Sequence, residues 1–195
     1  MPLNIYIIAH PIIKKLSNQF INSTHQNPQI QNILNNDPLH ILLIYEVTRK
    51  WITGYNIYIK NLNHIKPIYR FNKKESYLII TNFMYCGNII NNINKLLPKV
   101  CIQHLNLEQY KEKEINDECI NHQIINRIRE KKIIIVENFI EDNSIIKLLH
   151  YLITYKNIYI KNINIICITC NSIILENLGS KYPNLKIYTT HINYH

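Results

Sequence analysis

The sequence predicts a mainly parallel α/β sheet flanked by helices, with a two-stranded β-arm set apart from it. Three observations carry that expectation. From Tyr77 onward, short β-branched segments alternate with helical ones, the rhythm of parallel strands joined by right-handed crossovers. Residues 132–136 (Lys-Ile-Ile-Ile-Val) form a continuous β-branched run, as a strand buried on both faces requires, and residues 163–168 read the same way. Residues 55–60 instead alternate Tyr55, Ile57 and Ile59 with Asn56, Tyr58 and Lys60. That period of two, repeated around residues 65–71, makes the arm.

In chain order, residues 3–8 form a short apolar strand ended by His10-Pro11. Asp37-Pro38 joins an N-cap residue to a proline suited to the first helical turn. Leu39, Leu42, Leu43, Glu46 and Val47 then recur at helical spacing up to Arg49. After the arm come a strand at 77–81, a helix at 88–97 closed by Pro98, and a strand at 100–105. The acidic stretch 108–118 predicts an exposed loop, and residues 120–129 a helix. Ser144 is expected to cap a helix carrying Ile145, Ile146, Leu148, Leu149 and Leu152. Ser172 is expected to cap another that stops at Gly179, and residues 185–190 form the last strand. No internal repeat or linker interrupts the chain, so residues 1–195 are read as one domain.

Composition narrows the class. Hydrophobic residues make up 47% and charged residues 18% of 195 positions, which excludes a disordered tail and allows a real core. Together, 43 Ile, 29 Asn, 18 Lys and 14 Tyr fill over half of the chain, against three Gly and one Ala. These are residues of AT-rich codons, which points to the genome of an organelle or a reduced parasite or symbiont. No segment approaches the roughly 18 apolar residues of a membrane span. The first residues lack the marks of a secretory or transit peptide, so the protein is expected to work where it is made. Five cysteines in a chain of this length fit a reducing interior rather than a disulfide scaffold.

The net charge of +9 is uneven: residues 1–107 carry +8 of it. Residues 49–74 hold seven basic and no acidic side chains, with Trp51, Tyr55, Tyr58, Tyr69 and Phe71 among them. Such a stretch could follow a nucleic-acid backbone and stack on bases. The plainer reading is a solvated hairpin whose lysines blunt its exposed edges.

In an open α/β sheet, ligands bind at the carboxyl ends of the strands. The informative segment is therefore Glu137-Asn138-Phe139-Ile140-Glu141-Asp142-Asn143, read as a loop before Ser144. A phosphate site there needs glycines for close approach and free N–H groups at the helix N-terminus. This segment has no glycine, no basic residue and three carboxylates. A carboxylate and a phosphate about 5 Å apart, at an effective dielectric near 20, repel by roughly 3 kcal/mol. A solvated acidic loop is the expectation, with a bridging cation as the alternative.

Two motifs now point to a family. Tyr6-Ile7-Ile8-Ala9-His10-Pro11 is followed, after a helix, by Tyr45-Glu46-Val47-Thr48-Arg49. Their sequence and spacing resemble uracil phosphoribosyltransferase, as do Lys95-Leu96-Leu97-Pro98, the His104 strand, and Tyr182-Pro183 followed by Ile187-Tyr188. The resemblance covers essentially the whole chain. It implies the type I phosphoribosyltransferase fold, a homodimer, and transfer of phosphoribose from phosphoribosyl diphosphate to uracil, with magnesium, giving UMP and diphosphate.

Against that pattern the working parts depart. The family's Arg-Ala-Gly diphosphate loop is matched by Tyr85-Cys86-Gly87, and its Tyr-Arg-Asp by Glu108-Gln109-Tyr110. Its phosphoribose loop, Asp-Pro-Met-Leu-Ala-Thr-Gly-Gly-Ser, is matched by the acidic segment, with Glu137 in place of the first aspartate. Glu137, Asn138, Glu141, Asp142, Asn143 and Ser144 thus stand as a degenerate phosphoribosyl-diphosphate loop. The family's uracil-recognising tail, with Tyr-Ile-Val-Pro-Gly, follows the last strand, whereas this sequence reads Asn193-Tyr194-His195 there. The resemblance therefore implies a domain lacking the uracil-binding segment. Each lost charge-assisted contact removes about 1.5–3 kcal/mol.

Smaller constellations remain. Cys167-x-x-Cys170 and His191-x-x-x-His195 close two strands, and zinc would accept four such ligands, although buried thiols and a frayed terminus are the plainer reading. His10 and His104 read as structural histidines, and Cys86 has no nearby His or Asp that would make it a nucleophile. The expectation is a homologue without catalytic residues or a cofactor of its own. It is expected to be plastid-encoded and soluble in the plastid, with the cytoplasm as the alternative location. Residual activity in pyrimidine salvage, and nucleic-acid or protein binding through residues 49–74, are the alternative functions.

Overall fold

The computed structural model describes residues 3–26, 37–62, 64–86, 89–110, 114–116, 128 and 131–194. One sheet is built from β1 (Asn4–Ile7), β4 (Tyr77–Thr81), β5 (Val100–His104), β6 (Lys132–Ile140), β7 (Ile163–Asn171) and β8 (Lys186–Asn193). Its order is β1-β8-β7-β6-β4-β5, and every neighbouring pair is parallel. β6 lies inside the sheet, as its β-branched run requires, with Ile133 opposite Ile163 on one side and Leu78 on the other. Ile133, Ile134 and Ile135 are all fully buried, and each such side chain contributes about 1.5–3 kcal/mol by leaving water.

The sheet separates two apolar cores. On one face Ile133, Ile135 and Ile165 pack with Leu148 and Leu149 of α5 (Ser144–His150) and Leu178 of α6 (Ser172–Lys181). On the other, Ile134, Val136 and Ile166 meet α1 (Pro11–Gln26) and α2 (Asp37–Thr48). Leu39, Leu43 and Val47 of α2 are buried at the helical spacing that the sequence shows. The short helices α3 (Phe83–Cys86) and α4 (Ile89–Leu96) connect β4 to β5.

The structure departs from expectation in four places. α1 fills a stretch where no element is expected. It starts on Pro11, and its inward face carries Ile13, Ser17, Phe20 and Thr24. Two of these four buried positions are hydroxyls that bond back to Lys14 O and Ile21 O, which hides the apolar stripe. β6 runs to Ile140, so residues 137–140 are strand rather than loop. β7 and β8 likewise continue to Asn171 and Asn193. The caps shift by one or two residues: Asn171 Oδ1, not Ser172, accepts Ile173 N–H at 2.8 Å, and Ser144 is already helical. The expected helix at 120–129 lies, Ile128 apart, outside the described residues.

The arm is the antiparallel pair β2 (Gly54–Lys60) and β3 (Ile65–Phe71), a two-stranded sheet of its own among the described residues. Asn61 N–H donates to His64 O across the turn. The ring of Tyr69 folds over Gly54, where a β-carbon would turn that exposed ring aside. At the arm's base, Glu75 accepts hydrogen bonds from Lys132 Nζ, Thr53 Oγ1 and Tyr77 Oη, each within 3.1 Å. Lys132 Nζ also donates to Trp51 O at 2.6 Å. The Glu75–Lys132 ion pair and the hydrogen bonds around it thus tie the arm's base to the first residue of β6.

Candidate functional site at the carboxyl edge of the sheet

The strand ends place polar groups where a parallel sheet presents its ligand site. Thr81, the last residue of β4, donates its hydroxyl to Val136 O at 2.9 Å. Asn82 Oδ1 accepts Met84 N–H, starting α3. His104, the last residue of β5, accepts Phe83 N–H on Nδ1 at 3.0 Å, which leaves the proton of its neutral ring on Nε2. His10 Nδ1 similarly accepts Ile12 N–H.

On the α2 face, Asn138 Oδ1 lies 2.7 Å from His40 Nε2. Asn138 Nδ2 and the hydroxyl of Thr169, next to Phe139 across β7, are buried without a hydrogen-bond partner. Each is a group that an ordered water or a bound polar molecule would satisfy. His40 and Thr169 carry no signal in the sequence: His40 lies 98 residues from its partner, inside an apolar helical stripe.

On the opposite face sits Glu137, paired in register with Cys167. Burial raises its carboxyl pKa to about 8, with the charges of Glu108 and Asp142 adding to the effect. It is therefore largely protonated at neutral pH, and the segment is not the uniformly anionic loop that its letters suggest. The exposed connection shrinks to Glu141, Asp142 and Asn143.

Asp142 decides what the start of α5 can bind. Its Oδ1 accepts the backbone N–H of Ser144 at 2.9 Å and also the Ser144 hydroxyl. Ile146 and Lys147 donate their N–H groups to Asn143 O. An internal carboxylate thus holds the donors that an incoming phosphate would need. Glu108, Gln109 and Tyr110 form a single 3₁₀ turn with Leu107, and Tyr110 O accepts Lys147 Nζ at 3.0 Å.

The remaining candidates are scattered. Tyr85 and Cys86 lie in the backbone of α3, and Gly87 falls outside the described residues. Cys167 and Cys170 lie within β7, not at its end, and both are fully buried. Burial pushes the Cys167 thiol up, whereas a hydrogen bond with Cys167 lowers Cys170. His191 is exposed on β8 opposite Thr169, and His195 lies outside the described residues. Among the described residues, no three His, Cys, Asp or Glu side chains converge on a metal position. Among the described residues, no helix is long and apolar enough to cross a membrane.

A six-stranded parallel sheet with helices on both faces, an open carboxyl edge and a separate hairpin defines a phosphoribosyltransferase-type α/β protein. The AQ2163 protein from Aquifex aeolicus has the same fold, with a TM-score of 0.65 at 13% identity over 98% of this chain and 88% of that one. The family model for uracil phosphoribosyltransferase matches residues 7–195, and the chain belongs to that family. It is 27% identical over 198 residues to proteins of Porphyra purpurea and Pyropia yezoensis, each named "Uracil phosphoribosyltransferase homolog". These matches cover 99% of this chain and 90% of each relative.

Proposed function

We propose that this chain is a non-catalytic member of the uracil phosphoribosyltransferase family, kept for a structural or regulatory role in a plastid. The observation that carries the reading is Asp142 on the N–H and hydroxyl of Ser144. A phosphate arriving there must displace a carboxylate already bonded in place, and then lie beside it. Tyr85 where the family has arginine removes a second diphosphate contact. The red-algal relatives and the AT-biased composition support the plastid.

The test is formation of UMP from uracil, phosphoribosyl diphosphate and magnesium, with protein purified from a host lacking its own enzyme. No UMP above the no-enzyme control is expected, and UMP above it would overturn the reading. Replacing residues 137–145 with the family's Gly-rich loop should create phosphoribosyl diphosphate binding, read by calorimetry, that the unaltered chain lacks.

The arm supports self-association as part of this reading. Tyr55, Ile57, Tyr58, Ile59, Ile65 and Tyr69 are each at least 40% exposed, so both faces of the hairpin lack a covering layer. A second copy would supply one. A dimer at tens of micromolar in sedimentation is expected, and a monomer would count against it. The interleaved Lys60, Lys66 and Arg70 favour nucleic acid as the second reading, recognised by steeply salt-dependent binding.

A further inference from the structure

Away from the carboxyl end of β6, beside edge strand β1, a cavity of about 420 Å³ lies between β1, β8 and β7 and the end of α2. Its wall follows from strand register. Asn164 of β7 is opposite Lys186 of β8, and two residues on Tyr188 is opposite Tyr6 of β1. The two tyrosine rings stack on each other at 4.8 Å with 18° between their planes, which places an aromatic pair in the cavity wall. Arg49 and Lys50 enter from the end of α2.

Two properties of this lining point to a ligand. Asn164 is 1% exposed, yet its Oδ1 has no hydrogen-bond partner, and a buried acceptor left open is unfavourable. The cations also outnumber the anions. Glu46 lines the cavity and lies 3.8 Å from Arg49, while among the described residues no carboxylate pairs with Lys50 or Lys186. An occupant should present an N–H or O–H donor to Asn164, a flat ring to Tyr6 and Tyr188, and an anion to the lysines.

We infer that this cavity is a binding site for a nucleoside monophosphate. Its base supplies the ring and the donor, and its phosphate supplies the charge. The volume falls in the usual range for small-molecule sites, roughly 300–1,000 Å³. The site stands on different residues from the degenerate phosphoribose loop, so it holds whether or not the chain makes UMP.

Trp51, the only tryptophan in the chain, lines the cavity and reports on it. The experiment titrates the full chain with AMP, CMP and UMP while following Trp51 fluorescence, with ribose 5-phosphate and inorganic phosphate as probes lacking a base. Saturable change with the nucleotides, and at least tenfold weaker response to the two base-free anions, is expected. Asn164→Leu and the surface change Lys186→Glu should each weaken nucleotide binding about tenfold or more. Asp142→Asn should leave it unchanged. Equal response to inorganic phosphate, no response to any nucleotide at millimolar concentration, or affinity unmoved by Lys186→Glu in a folded protein would each overturn the proposal. So would a change in Trp51 that tracks protein concentration, which would make the occupant a second copy of the chain.

Discussion

β7 and β3 use overlapping alphabets, with isoleucine recurring in both, and meet opposite fates. Eight of nine residues in β7 are buried, whereas six of seven in β3 are exposed. The difference lies in the covering layers. β7 has a strand on each side and helices on both faces, while the arm has one partner strand and, among the described residues, no layer packed above or below it. Apolar content alone therefore does not report burial. The arm's alternation marks a pair of strands whose side chains meet solvent on both faces. The arm's hold on the sheet is concentrated in Glu75 and Lys132.

The largest expected effect comes from cutting that hold. Lys132→Met leaves Glu75, 7% exposed, without its cation, and such a loss costs about 3–5 kcal/mol when the stranded charge stays buried. Because Lys132 keeps some solvent contact, the lower end is expected in urea denaturation. Lys132→Met with Glu75→Gln should recover much of the loss, since the stranded charge is gone. A single-variant loss below about 0.5 kcal/mol would mean that the arm is not clamped at this point.

Next, the two regions can be compared by the same truncation. Ile165→Ala in β7 removes a fully buried side chain and should cost about 2–5 kcal/mol. Ile57→Ala in β2, where Ile57 is 40% exposed, should change protomer stability by no more than about 0.5 kcal/mol. If the arm is an interface, the second change should instead weaken self-association in sedimentation. Equal stability losses at both sites in dilute protein would erase the distinction.

The same contrast explains what could be read from the sequence. The strands at Tyr77, Lys132 and Ile163 are legible because burial on both faces leaves nearly continuous apolar runs, and the arm because its period is two. α1 is not, because Ser17 and Thr24 occupy core-facing positions with hydroxyls satisfied by their own helix. The end of β6 was misread for the opposite reason. Glu137 and Asn138 look like loop residues, yet the ladder to β7 carries them to Ile140. The family's motifs were visible as letters, but the Asp142–Ser144 lock and the His40–Asn138 contact are products of geometry.

The smallest expected effect concerns sign as well as size, because the two regions hold carboxylates with opposite behaviour. At the arm's base, burial alone would raise Glu75, but hydrogen bonds from Lys132, Tyr77 and Thr53 outweigh it and hold the group below the ordinary carboxylate value. Its contribution is present above that value and is lost as pH falls through the lowered one. Glu137 in β6 has no such partners, and burial with the charges of Glu108 and Asp142 lifts it from 4.5 to about 8. Between those two values the unfolded chain has released a proton that the folded chain still holds, so stability falls as pH rises from about 4.5 to 8. Glu137→Gln removes the ionisation while keeping the shape. It should leave stability near pH 5 little changed, raise it by about 1–3 kcal/mol at pH 8.5, and flatten the slope between. Glu75→Gln should do the reverse, lowering stability at neutral pH and converging on the unaltered protein in acid. Urea midpoints measured across pH 3–9 for both variants check the pair. Parallel pH profiles for the two would show that burial, rather than the presence or absence of a clamped cation, governs both sites.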